Sequence, residues 1–157
     1  MEIKDSLFQD MSANYAEMFH FTPLTAHIFT YLLFDFEQNG LTFDQIQTKM
    51  CASKSSISNA LNRLVQSNFV EYINKIGDRK RYYRINKEIF LIQFQEELTQ
   101  LKKNKSILNR YANYRQKQVG LDIHSQNIEL HLQLLDTKIK MHEQTMEQLQ
   151  QLNKSIK

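Results

Sequence analysis

A chain of 157 residues suits one domain with an appended arm, and 41% hydrophobic with 24% charged residues gives a folded core rather than a disordered chain. Three glycines and one proline favour long helices and weigh against an all-β fold; a single cysteine, Cys51, excludes an intramolecular disulfide framework and fits a reducing cytoplasm. No apolar run reaches membrane-span length and Met-Glu-Ile-Lys-Asp at the start does not read as a signal peptide, so the expectation is a cytoplasmic chain with no membrane partner.

The net charge of +3 says little until it is divided along the chain. Residues 1–52 carry two basic and seven acidic side chains, residues 53–85 seven basic and two acidic, and residues 86–157 eleven basic and eight acidic. Positive charge is thus concentrated in residues 53–85, the footprint expected of a surface that meets a polyanion.

Leu7, Met11, Tyr15, Met18 and Phe19 recur at helical spacing over about residues 4–19. Thr22-Pro23 marks a helix start, with Thr22 as cap and Pro23 where its missing N–H costs nothing. The run Leu24 to Phe36 is apolar on most sides and predicts the most buried helix, ended by Asn39-Gly40. Thr42 with Gln45 three residues later is a capping box for a short helix.

Ser53 caps the next helix. Ile57, Ala60, Leu61, Leu64 and Val65 form its inner face, and Lys54, Ser55, Ser58, Asn59, Asn62 and Gln66 fall opposite. Short polar side chains there would let the helix approach base edges, and Asn can pair with adenine N6 and N7. The expected base-reading and groove-lining set is Ser53, Lys54, Ser55, Ser56, Ser58, Asn59, Asn62 and Arg63, on a helix spanning about 54–67. A serine- and asparagine-rich face taken alone is equally a solvated surface.

Residues 70–85 then read as a two-stranded hairpin turning at Gly77-Asp78. Arg79 stands at the tip, where a guanidinium can reach a narrow minor groove. Lys75, Lys80, Arg81 and Arg84 are placed for phosphates; with Asp78 they complete the expected wing contacts. A groove-entering helix beside a basic hairpin is the winged helix-turn-helix arrangement. The fold class expected is mainly α, with a DNA-binding domain over 1–86 and a helical arm over 87–157.

Asn86 looks like the cap of a long helix from Lys87 towards Lys117, broken by Gly120, with Asp122 opening a last helix. Ile128, Leu132, Leu135, Ile139, His142, Met146, Leu149, Asn153 and Ile156 follow alternating three and four spacings, with Leu121 and Ser125 leading in. About 30 residues make a helix of roughly 45 Å, which pairs with the preceding helix, with a second subunit, or with both. Ile128, Leu132, Leu135, Ile139, Met146 and Leu149 are the expected dimerisation residues.

Four stretches in order, Phe21-Thr-Pro-Leu-Thr-Ala-His-Ile-Phe-Thr-Tyr-Leu-Leu33, Leu41-Thr-Phe-Asp44, Ala52-Ser-Lys-Ser-Ser-Ile-Ser-Asn-Ala-Leu61 and Gly77-Asp-Arg-Lys-Arg-Tyr-Tyr-Arg84, resemble the GbsR-type branch of the MarR-like winged-helix transcriptional regulators. The resemblance covers about residues 20–86. It implies a homodimer on a pseudo-palindromic double-stranded DNA operator, each protomer placing its 54–66 helix in a major groove and Arg79 at the adjacent minor groove. The Asp-Arg pair usual in the MarR-like wing is matched by Asp78-Arg79. Cys51 departs from the small residue, often glycine, expected before Ala-Ser-Lys.

An effector pocket would draw on Tyr15, Phe19, Phe94 and Tyr111, with Phe21, Phe29 and Tyr114 nearby in the pattern. The resemblance raises choline-like quaternary ammonium ligands, which aromatic cages bind by cation–π attraction, but aromatics at helical spacing ordinarily form core and no acidic partner stands out. Cys51 reads as a small buried turn residue rather than a redox sensor. The five histidines form no compact metal set, and phosphate loops and nucleophile elbows are missing, so neither cofactor, metal nor enzyme activity is expected. The sequence reading is therefore a dimeric DNA-binding repressor modulated by a small effector. Its competitor is a protein-interaction scaffold that uses the winged fold and the C-terminal coiled coil without reading DNA.

Overall fold

Capping chemistry sets where the helices begin. In the computed structural model, which describes residues 5–120 and 122–155, Thr22 accepts a hydrogen bond from the Thr25 amide at 3.3 Å and Pro23 opens the helix behind it. Thr42 and Gln45 form the reciprocal box: the Gln45 amide donates to Thr42 Oγ1 at 3.3 Å and the Thr42 amide to Gln45 Oε1 at 2.8 Å. Ser53 Oγ accepts from the Ser56 amide at 3.2 Å. Each satisfies an amide that a helix start leaves without an intrahelical partner.

The chain divides into two compact units, Met1–Ile89 and Phe90–Lys157. The first contains α1 (Asp5–Met18), α2 (Pro23–Leu33), β1 (Leu41–Thr42), α3 (Phe43–Met50), α4 (Lys54–Gln66), β2 (Val70–Asn74) and β3 (Arg81–Ile85). The second is formed by α5 (Ile89–Val119) and α6 (Ile123–Ser155).

Ile28, Leu32, Ile46, Ile57, Leu61 and Leu64 are fully buried and join α2, α3 and α4 around one core. Beside them Phe19, Phe21, Phe29 and Phe69 pack ring against ring, with centroids 4.7 to 6.2 Å apart and mostly edge-on, the arrangement the ring quadrupoles favour. Along α1 and just past it, Phe8, Ser12, Tyr15 and Phe19 turn inward. Of the helically spaced apolar set, Tyr15 and Phe19 are on this line, whereas Leu7 and Met18 are exposed.

Three features differ from expectation. The sheet has three strands in the order β1-β3-β2, because Leu41 and Thr42 pair antiparallel with Tyr83 and Tyr82. Gly40 makes this approach possible: its φ is +78°, and a Cβ there would stand 3.0 Å from the Tyr82 Cβ. Next, α2 stops at Leu33, well before Asn39-Gly40. The Asp35 amide turns back to the Leu32 carbonyl at 3.2 Å, while its carboxylate accepts from the Gly40 amide at 2.7 Å and closes the loop. Finally, α5 starts at Ile89 rather than Lys87, because Asn86 forms a turn instead of a helix cap, accepting from the Glu88 amide through its side chain and from the Ile89 amide through its carbonyl.

Cys51 ends α3 in the left-handed region at φ 51°, and its side chain is exposed, not buried as expected. Glycine carries no Cβ penalty there. Cys51→Gly should therefore raise stability by about 0.5–1 kcal/mol, visible as a higher thermal midpoint by circular dichroism; a lower midpoint would show that the thiol contributes packing.

In the second unit α5 and α6 run antiparallel. Leu91, Phe94, Leu98, Leu101, Leu108 and Ala112 turn inward on α5, and Ile128, Leu132, Leu135, Ile139, Met146 and Leu149 turn inward on α6. Lys102–Glu143 at 2.7 Å, Lys105–Asp136, and His142 Nε2 at 2.9 Å from Glu97 fix the register. The expected three-four seam of α6 is thus filled from within the chain; its end positions Leu121 and Ile156 lie outside the described residues. Asp122 caps α6, accepting from the Ser125 amide at 2.9 Å and its hydroxyl at 2.8 Å, and it pairs with Arg115. These bonds, those to Ser125 foremost, lower the Asp122 pKa to about 2.

Candidate nucleic-acid interface

On α4 the buried line Ile57, Ala60, Leu61 and Leu64 leaves a continuous outward line of Ser55, Asn59, Asn62 and Gln66. All four are exposed, and among the described residues Asn59 and Asn62 make no side-chain hydrogen bond within the chain. Lys54 and Ser56 are exposed at the first turn, and Ser58 is half-buried. Ser53 is held by its capping role, its hydroxyl 3.1 Å from that of Ser55 and 2.9 Å from that of Ser56. Arg63 reaches backwards instead: its Nη2 donates to the His20 carbonyl at 3.1 Å, fastening α4 to the turn after α1, where His20 has a φ of 52°. This ties it to the scaffold.

The hairpin is fixed to the end of α4 through Asn86. The Asn86 amide donates to the Phe69 carbonyl at 3.0 Å and its side chain to the Asn68 carbonyl at 2.9 Å. Helix and wing therefore share one rigid base. Across the strands Glu71 faces Arg84, and the Arg84 Nε donates to the Glu71 carboxylate at 2.7 Å. Further out, Lys75 Nζ sits 4.0 Å from the Tyr82 ring centroid and the Arg81 guanidinium 5.2 Å from that of Tyr72, both within cation–π range.

Asp78 organises the tip. One carboxylate oxygen accepts from the Lys80 amide at 2.9 Å, the other from the Tyr82 hydroxyl at 2.6 Å. The Tyr82 bond, then the Lys80 amide, hold the Asp78 pKa below its ordinary value, and the Asp78 bond raises that of the Tyr82 hydroxyl. Asp78 is thus a structural acceptor in the wing. Of the wing's cations, Arg79 is the one with no partner among the described residues: Lys75 and Arg81 lie on rings, Arg84 is paired, and Lys80 lies in the field of Asp78. The Glu71–Arg84 pairing was within reach of the sequence, since a hairpin centred on Gly77-Asp78 sets residue 71 opposite residue 84.

The four expected effector residues have different surroundings. Tyr15 and Phe19 stack on each other at 5.8 Å and pack edge-on against Phe29 in the core of the first unit. In the second unit Phe94 lies 5.4 Å from the His142 ring, and Tyr111 edges a shallow groove with Arg115, His124 and His131. Among the described residues no three His, Cys, Asp or Glu side chains are grouped to hold a metal, and no helix is long and apolar enough to cross a membrane.

Comparison with known proteins agrees with this architecture. The MarR family model matches residues 29–82, from the middle of α2 to the start of β3. No curated protein matches the chain. Among solved structures, one described as a transcriptional regulator is 19% identical with a TM-score of 0.60, covering 92% of this chain and 95% of its own. MepR, a transcription regulator of the Staphylococcus aureus multidrug efflux pump MepA, is 12% identical with a TM-score of 0.44 over 98% of this chain and 93% of its own. A MepR variant from S. aureus bound to an oligodeoxyribonucleotide is 16% identical with a TM-score of 0.45 over 87% and 91%. The fold is a MarR-type winged helix with long C-terminal helices, and the stretch similar to the MarR family model, residues 29–82, holds α4 and the wing tip.

Proposed function

We propose that this chain is a cytoplasmic transcriptional regulator of the GbsR-type branch that binds a pseudo-palindromic double-stranded DNA operator as a homodimer and represses by occupying it. The observation that carries this reading is the pairing of an unspent polar line on α4 with one unspent cation at the wing tip. Among the described residues Asn59 and Asn62 face outward with donors and acceptors free to meet base edges, while Arg79 alone of the wing cations is left without an internal partner. The family match over the same residues supports it, and the order of the four sequence motifs supports the branch.

Self-association is supported by a second apolar stripe. Ile123, Leu130, Leu134 and Met141 are all exposed and fall within about 40° of one another around α6, nearly opposite the seam that meets α5. Ile107, Tyr111 and Tyr114 form a similar exposed line on α5. A hairpin apolar on both faces fits burial against a second copy. Binding of a small effector that shifts half-site spacing away from one DNA turn would release the operator.

The test is a mobility shift with DNA from upstream of the protein's own gene, at physiological salt and against random duplex. Asn59→Ala should change base preference at one position of each half-site while leaving affinity for random DNA within about twofold. An equal loss on every DNA would remove the base-reading role from α4, and failure of the native protein to prefer any upstream fragment would overturn the operator reading.

A further inference from the structure

The wing tip carries one apolar side chain that the fold does not use. Ile76 is fully exposed, the most exposed of the large apolar side chains among the described residues. Its position follows from two consecutive tight turns. The Asp78 amide donates to the Lys75 carbonyl at 3.1 Å, closing a four-residue turn in which Gly77 has a φ of +82° and Ile76 does not have positive φ. A positive φ confined to the third residue defines a type II turn, so Ile76 occupies the second position, the outer corner. The second turn, closed by the Asp78 carboxylate on the Lys80 amide at 2.9 Å, puts Arg79 at the next corner. The hairpin thus ends in two projecting side chains, one branched and apolar, the other cationic, held by the Asp78–Tyr82 hydrogen bond at 2.6 Å and the Lys75–Tyr82 stack behind them.

We infer that Ile76 is a second wing contact, an apolar tip that enters the DNA minor groove beside Arg79 and packs against the sugar wall or an opened base step. The inference rests on the DNA-binding reading above and adds a residue to it. Charge complementarity selects the occupant: Lys75, Arg79, Lys80 and Arg81 lie within five positions of Ile76 in the chain and make the hairpin end positive, so a duplex backbone is drawn to the same tip, and branched apolar side chains are what minor-groove proteins press between or against sugars and bases. A tip meant only to stay in water would be served by Asn, Asp or Ser, which the turn accommodates as readily.

The experiment separates the two corners by their response to salt. An apolar contact releases no condensed counterions, whereas a phosphate-facing or groove-inserted arginine does. Affinity for an upstream fragment shifted by the native protein is measured by fluorescence anisotropy at several salt concentrations for the native chain, Ile76→Ser, Ile76→Leu and Arg79→Ala, with circular dichroism confirming the fold of each. Ile76→Ser should bind about five- to tenfold more weakly with the native salt slope, and Ile76→Leu should restore most of the loss. Ile76→Ser binding within twofold of native while Arg79→Ala is weakened overturns the apolar contact and leaves the wing reading standing. A slope reduced in Ile76→Ser as far as in Arg79→Ala also overturns it, because Ile76 would then act only by placing Arg79. Native protein that binds every fragment alike, with no effect of Arg79→Ala, overturns both.

Discussion

Arg79→Ala should weaken operator binding by about ten- to a hundredfold and lower the salt slope by about one per protomer, while Arg84→Gln should leave the slope unchanged. The contrast is stronger than either result alone. Both residues are arginines of one hairpin, five positions apart, and charge counting treats them alike. In the structure Arg84 is committed to the Glu71 carboxylate at 2.7 Å with a side chain only 21% exposed, whereas Arg79 has no partner among the described residues. A paired guanidinium already has its counter-charge and displaces few ions from DNA; an unpaired one at a tip displaces them on binding. Removing Arg84 should instead loosen the β2–β3 pairing and lower the thermal midpoint slightly, since a partly exposed cross-strand pair contributes little to stability. Equal slope losses in both variants would show that the hairpin lies along the backbone as an undifferentiated basic strip. No loss in either would remove the wing from the interface.

What could be read from the sequence follows the range of the interactions involved. The caps at Thr22, Thr42 and Ser53 were legible because a cap and its amide lie three residues apart, so the chemistry is written locally. The two faces of α4 were legible for the same reason, being set by period alone. Strand β1 was not: two residues cannot show an alternation, and their pairing with Tyr82 and Tyr83 lies some forty residues away. Distance also hid the hydrogen bond from Arg63, set among the groove-lining residues, to the His20 carbonyl 43 positions earlier. Asp78 was placed among the wing contacts on its motif, although its two oxygens are turned inward to Lys80 and Tyr82. The heptad of α6 was correct as a pattern but silent on its partner, because knobs into holes look the same in sequence whether the hole belongs to the same chain or to another.

Leu134→Glu and Leu135→Ala should separate folding from self-association, although the two residues are neighbours. Leu135 is 6% exposed and faces α5, so truncation to alanine should destabilise the second unit by about 2–5 kcal/mol. Leu134 is 47% exposed on the opposite side of α6, and as a free chain the glutamate variant should fold with α5 and α6 paired as before. If two copies meet through the outer stripe, symmetry places the new carboxylate in the interface twice, desolvated and without a cation, and the dimer should weaken by at least about a hundredfold. Sedimentation equilibrium would then show a monomer that retains native helical content, whereas Leu135→Ala would show a lower and broader melt at every concentration. The reverse outcome, with Leu134→Glu still dimeric and Leu135→Ala dissociated, would mean that the inner seam is exchanged between subunits. Because an operator with two half-sites rewards two linked wings, Leu134→Glu should also reduce operator affinity far more than affinity for random duplex. DNA binding would then be weakened by a residue far from the α4 and wing contacts in sequence, with the wing and α4 unaltered.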